Sequence, residues 1–455
     1  MLKNVIKVLF SNGVIATIGL INNFLFPFIL TTTDYATYQE YMLYVSYINI
    51  CHLGIASGMF LNYAGAQYSS IDKKQYKSEI YLLFLTLAGF TGIGIIVFVI
   101  SQNKLLLYTV ITIIPQCLIA SFQALYQAWE RFTEYSIINV LPKLLLTISI
   151  GVLFFIGIAD GNSAVLSNVV IVWGITLYFI YEFIRDTQGI KANKIFSKKN
   201  GKTTWNGLLI TVGNYINILF HSIDKQFVLL IYSKESFALY SFAMSLQNIM
   251  MIFITALANP FYVRLARGDI DKDRIGRMKE LLFIFGAYSG CAFFAVSFVV
   301  DKFISEYSGA LIICSMFFAV FPAMAVINVL YINLYKIQQK LKQYIITLVG
   351  MLVVAAAANT IAVIFHGDYI GISLATMICY YIWLFYSQHH FKEIAIRLKD
   401  IFYLVGFMII YFSSVTLIQN AVIGFIAYAV IISLWNRFLY KESVSYLKTY
   451  LLKKR

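Results

Sequence analysis

The chain has 455 residues, of which 60% are hydrophobic and 12% charged, and a formal net charge of +14. A soluble chain carries about 25% charged residues, so a water-soluble enzyme is excluded, and no polar stretch is long enough to fold as a domain of its own. The five cysteines (Cys51, Cys117, Cys291, Cys314, Cys379) all fall in apolar runs with no CxxC pair, which excludes a disulfide framework and a thiolate metal site.

Apolar runs near the ~20 residues a bilayer needs recur along the whole chain. They predict spans at 5–30, 38–62, 80–100, 105–126, 136–157, 164–183, 206–232, 238–262, 281–300, 309–333, 344–365, 369–387, 401–418 and 421–436. The expected fold is all-α: a polytopic membrane protein of about 14 transmembrane helices. Lys3 lies before the first run and Lys7 near its start, and the run is too long for a signal peptide and lacks a small-residue cleavage site. Thirty of the 35 Lys and Arg residues fall at the N-terminus, after the last span, or in every second connection. The alternate connections hold only Lys104, Lys234 and Lys302. The positive-inside rule then puts both termini in the cytoplasm. The net charge reads as topology and contact with anionic head groups, not nucleic-acid binding.

The longest inner connection, 184–205, divides the chain. It predicts an N-terminal lobe over 1–183 (helices 1–6), a basic linker over 184–205, and a second lobe over 206–387 (helices 7–12). Helices 13 and 14 and a basic tail occupy 388–455. A weak repeat accompanies this division. Pro115 and Pro322 sit alike in the fourth span of each half, Leu125-Tyr126 and Leu330-Tyr331 close those spans, and Tyr135 and Tyr344 open the next. Repeats of this kind build transporters with a site between halves, and prolines bend the helices that rock.

Taken in chain order, span two contributes Tyr44, Tyr47 and His52, and span four Gln116, Gln123 and Gln127. Span five carries Lys143 after Pro142, about two turns from the cytoplasmic side. Span seven is the richest: Asn214, Asn217, His221 and Asp224 recur at i, i+3, i+7 and i+10, one helical face, with Lys225 bordering it. Such a stripe faces a wet cavity or another polar helix, because each charge costs ~3 kcal/mol at the centre of a membrane helix. Span eight adds Ser241, Ser245, Asn248, Thr255 and Asn259. Amides and hydroxyls suit sugar hydroxyls and suit helix packing equally well. Lys143 and Lys225, if both line a lumen, place one cation in each half of the membrane for an anionic head group; otherwise they snorkel.

Enzyme signatures are missing: there is no GxxxxGK[ST] loop, no HExxH and no GxSxG, and the histidines show no metal spacing. The outer connections are too short to hold acceptor and catalytic groups. No cofactor and no metal is expected.

The stretch Phe24–Gly65 resembles the first two helices of polysaccharide flippases, in its short outer loop with Asp34-Tyr35, the Tyr38 start of helix two, and the Leu53-Gly54-Ile55 turn. Ser222-Ile223-Asp224-Lys225-Gln226 is similar to that family's acidic–basic pair in helix seven. Ala238-Leu239-Tyr240-Ser241 and Asn259-Pro260 are similar to the start and close of its helix eight. With the whole-chain layout, the sequence resembles a Wzx-type O-antigen flippase of the MOP (MATE-like) transporter superfamily. The resemblance implies two pseudo-symmetric six-helix lobes plus two C-terminal helices, and a non-enzymatic, alternating-access mechanism in the bacterial inner membrane. The implied substrate is an undecaprenyl-diphosphate-linked oligosaccharide, an O-antigen or capsule repeat unit. Its partners would be membrane lipids, a polymerase and other polysaccharide-assembly proteins. The cavity positions it implies are Lys143, Lys225 and the ion-coupling Asp224, beside His221, Asn214, Asn217, Asn248, Gln123 and His52. Two alternatives stand: an ion-coupled MATE-like exporter of cationic small molecules, whose members usually have twelve spans, and a lipid II flippase, whose members carry several cavity arginines. Here span one holds Lys7 near its start and no deeper charge.

Overall fold

A computed structural model describes residues 2–266, 272–391 and 394–445. The side chains of Lys3, Lys7, Asn259 and Pro260, the 267–271 stretch of the inner connection and the tail beyond Ser445 lie outside the described residues. Among the described residues every regular element is helical, and the helices fall at the predicted spans. They are α1 (Leu2–Ile29), α2 (Thr32–Ile48 and, after a break, Ile55–Tyr63), α3 (Lys73–Ser101), α4 (Lys104–Ala128), α5 (Phe132–Ile156), α6 (Gly161–Asp186) and α7 (Lys198–Ile231). After these come α8 (Lys234–Ala266), α9 (Lys272–Tyr288 and Gly290–Phe303) and α10 (Ala310–Ala319, Phe321–Ala325, a π turn at Val326–Tyr331, and Ile332–Ile337). The series ends with α11 (Leu341–His366), α12 (Tyr369–Ser387), α13 (Leu398–Leu417) and α14 (Ala421–Leu439).

Among the described residues ten helices are long and apolar enough to cross a membrane, or up to 12 if each of two bent pairs is one span. The remaining predicted spans are α1, whose apolar stretch Gly13–Ile29 is shorter, and α7, which carries three lysines in its first turns and the polar stripe. Several helices begin earlier than hydropathy predicts. α3 starts at Lys73, capped by Asp72, whose Oδ1 accepts from the backbone N–H of Lys74 (3.1 Å) and Gln75 (3.2 Å). The charged first turns are thus helix, not loop, and this brings Glu79 and Lys279 inside the packed ends of α3 and α9.

The chain divides into two compact units, Met1–Ser222 and Ile223–Arg455. In the first, Thr31 caps α2, and Asp34 beside it accepts from the backbone N–H of Gly161 at the start of α6 (2.9 Å). Tyr41 links α2 to Thr112 of α4 (3.0 Å) and donates to Asn168 of α6 (3.0 Å). The 62° bend in α2 falls at Leu53 (φ 46) and Gly54 (φ 85), a left-handed pair that ends one helical stretch and begins the next. Beyond the bend, Gly54 and Gly58 cross α7 at Gly207 and Thr203 with no room for a Cβ on any of the three glycines. Such small-residue contacts let membrane helices approach backbone to backbone. The basic connection packs onto α3: Lys77 Nζ donates to the carbonyls of Thr187 (3.0 Å) and Ile190 (3.1 Å), and Asn193 N–H to that of Lys74 (3.2 Å).

In the second unit α10 is its most buried helix line: residues 313–315 and 317–327 are all buried. It bends by 46° next to Pro322, where the ring removes a helix hydrogen bond. α4, which holds the matching proline of the predicted repeat, carries Pro115 without a break. α13 and α14 belong to this unit: Tyr428 on α14 packs against Gly290 and donates to the carbonyl of Ala287 (2.6 Å).

Candidate functional sites

The polar face of α7 changes character along its length. Asn214 is exposed, Asn217 and His221 are half-buried, and Asp224 is buried. In the first unit Tyr47 meets this helix twice: its ring lies 6.3 Å from that of Tyr215, and its hydroxyl is 3.0 Å from Ser222 Oγ. The His221 ring lies edge-on to Phe220. His52 is buried, and its Nδ1 accepts from the Gly54 backbone N–H (3.1 Å), so the imidazole closes the left-handed break in α2.

A second polar line, on α5, emerges around Lys143. Asn139, Lys143 and Thr147 recur at i, i+4 and i+8, and Lys143 is exposed on that line. Gln123 of α4 donates to Asn139 Oδ1. Thr147 Oγ1 lies 2.7 Å from Asn22 Oδ1 on α1 and 2.8 Å from the Lys143 carbonyl, so its one proton serves either. The structure thereby joins Gln123 and Lys143, predicted separately, into one ridge that continues to Asn22.

In the second unit Asp224 Oδ2 accepts from Tyr240 of α8 (3.2 Å) and from Thr376 of α12 (2.9 Å). Three helices therefore converge on one buried carboxylate. Lys225, next in the chain, is also buried and holds its Nζ 5.4 Å above the Phe237 ring, a cation–π arrangement at the start of α8. On α8 the predicted stripe divides, Ser241 being buried and Asn248 exposed. The oxygens of Asp224, Tyr240 and Thr376 are hard donors that suit a proton or an alkali cation. Among the described residues no group of three or more His, Cys, Asp or Glu side chains could hold a metal ion.

Two charged clusters escaped the sequence reading. Glu79 is buried and accepts from Tyr63 (2.7 Å), Gln75 (3.0 Å) and Thr203 of α7 (3.0 Å). Lys279 and Asp400 form a buried ion pair of 2.6 Å. Lys279 also donates to the Ala395 carbonyl (2.8 Å), and Tyr440 donates to the other oxygen of Asp400 (2.7 Å). The Asp72 cap was the signal available for Glu79, because it starts the helix early enough to carry that residue two turns inward.

The fold is that of solved MOP-type transporters. The lipid II flippase MurJ, in an inward closed conformation, matches with a TM-score of 0.65 over 98% of this chain and 100% of its own, at 15% identity. A multidrug resistance MATE family transporter of the MOP superfamily, inward-facing, matches with a TM-score of 0.54 over 84% of this chain and 98% of its own, at 11% identity. No family profile and no curated protein matches the sequence. The chain is therefore an all-helical, polytopic membrane protein with the MOP fold.

Proposed function

We propose that the chain is a flippase that moves an undecaprenyl-diphosphate-linked oligosaccharide from the inner to the outer leaflet of the bacterial inner membrane. The observation that carries the reading is the polar face of α7, where Asn214, Asn217, His221 and Asp224 recur at helical spacing, together with the Asn139, Lys143 and Thr147 line on α5. Amides and hydroxyls both donate and accept, which suits sugar hydroxyls. Lys143, exposed on the α5 ridge beside Asn139 and Thr147, supplies a cation for the diphosphate. That positive charge disfavours a cationic drug as substrate. Asp224, held by Tyr240 and Thr376, is the coupling carboxylate, whose protonation or cation load biases the transporter between its open states.

A second reading, a lipid II flippase, draws on the end-to-end likeness to MurJ. Both substrates are diphosphate-linked lipids, so the gene deletion separates them by what accumulates. The flippase reading expects lipid-linked oligosaccharide on the cytoplasmic leaflet, loss of surface polysaccharide and unchanged drug susceptibility. Accumulated cell-wall precursor would replace it with the second reading. Normal surface polysaccharide in a clean deletion would sink the first.

A further inference from the structure

We propose that the start of α7 and the segment before it form a binding site for an anionic phospholipid of the membrane bilayer. A cavity of about 370 Å³ opens there, with an apolar lining that includes Leu82, Phe196, Trp205 and Leu208. Phe196 is 80% exposed and Trp205 67% exposed, which is costly in water and ordinary for aromatic side chains at a membrane interface. Around this groove the sequence from 191 to 202 has five lysines and no acidic residue. Lys191, Lys194, Lys198, Lys199 and Lys202 are all exposed, and Lys199 makes a long ion pair with Asp72, at 3.9 Å.

The order of residues along α7 matches the cross-section of a lipid. Lys198, Lys202, Trp205 and Leu209 follow at i, i+4, i+7 and i+11 on one ridge, passing from charge to aromatic to aliphatic over ~16 Å. A phosphodiester meets the lysines while an acyl chain lies along Leu82 and Leu208. The groove is rigidly built. Buried Asn200 donates to Ser78 Oγ (2.7 Å) and the Ile195 carbonyl (2.7 Å) and accepts from Gln75 (2.5 Å), fixing α7 to α3 beneath the cavity. Gly201 lines the groove, and a Cβ there would meet nothing within 4 Å. A larger side chain at this position therefore fills the cavity without disturbing the core. Assignment to the inner leaflet rests on the orientation proposed above; lipid binding itself does not.

The test uses the full-length protein in nanodiscs containing brominated phosphatidylglycerol or brominated phosphatidylcholine, with the Trp205 fluorescence obtained by difference from Trp205→Phe. Phosphatidylglycerol should quench Trp205 with a preference of roughly five-fold or more, since each nearby lysine favours anionic lipid. The triple variant Lys198→Gln, Lys199→Gln, Lys202→Gln should reduce that preference to near one. Gly201→Leu should reduce quenching by both lipids while the protein keeps its melting temperature. Equal quenching by the two lipids in the unmodified protein, or a preference that survives the triple variant, overturns the proposal. Displacement of phosphatidylglycerol by an equimolar undecaprenyl phosphate would also overturn it, by assigning the groove to the transported carrier.

Discussion

At the scale of single residues, Asp224 and Lys279 are both buried charges, and their surroundings set them different tasks. Asp224 Oδ2 accepts from two neutral hydroxyls, which leaves the group able to take up a proton or release a cation without breaking an ion pair with either. Asp224→Asn keeps the shape and can still bond Tyr240 and Thr376. The protein should therefore insert and melt normally, while the stimulation of transport by an ion gradient falls roughly 5- to 150-fold, the range of typical coupling energies. Undiminished gradient dependence in vesicles would remove the coupling role. Lys279 instead serves cohesion, because it pairs with Asp400 at 2.6 Å where both are at most 3% exposed. Lys279→Met strands a buried carboxylate and should cost about 3–5 kcal/mol by thermal unfolding in detergent. Adding Asp400→Leu should recover much of that loss, because two apolar side chains replace the pair. Equal destabilisation in the single and double variants would show no coupling. Asp224 was legible because its stripe keeps helical period within an apolar run. Glu79 and Lys279 were not, because hydropathy trims a span at its first charge whereas the helix continues through it.

At the scale of elements, the broken helix α2 depends on three glycines. A Cβ on Gly207 would stand 2.0 Å from the Gly54 carbonyl oxygen, and one on Gly58 would stand 2.0 Å from that of Thr203. Neither backbone can yield without separating α2 from α7. Gly207→Ala and Gly58→Ala should each destabilise the detergent-solubilised protein by about 1–3 kcal/mol, the usual cost of overpacking, and impair transport. Gly213→Ala lies on the same helix with nothing within 4 Å of the new Cβ and should be neutral or stabilising by up to ~1 kcal/mol. If all three variants melt alike, the close crossing is not a source of stability. The turn at Leu53-Gly54-Ile55 could be read from sequence, yet the helix it meets could not, since contact between α2 and α7 spans some 150 residues. The bend in α10 was legible from Pro322, and the unbroken course of α4 through Pro115 was not, because a proline permits a bend that packing then grants or withholds.

At the scale of the whole molecule, helix order is the most legible property, since every span repeats the same physical demand of ~20 apolar residues. Orientation rests on a separate demand, the bias of Lys and Arg toward the cytoplasm. It carries the direction of the proposed transport, and two exposed positions test it. Gln188 lies in the basic connection after α6, and Lys234 opens α8 on the lysine-poor side. In a background where the five native cysteines are replaced by serine or alanine, a membrane-impermeant maleimide applied to spheroplasts should label Lys234→Cys and spare Gln188→Cys. Disrupting the membrane should make both reactive. The reverse pattern in intact spheroplasts would invert the topology, move the lysines of 191–202 to the outer face, and deny Lys143 its place as the receiving cation on the cytoplasmic side. Labelling of both before disruption would mean that this part of the chain is not partitioned by the membrane as its charges require, and the alternating-access reading would fail with it.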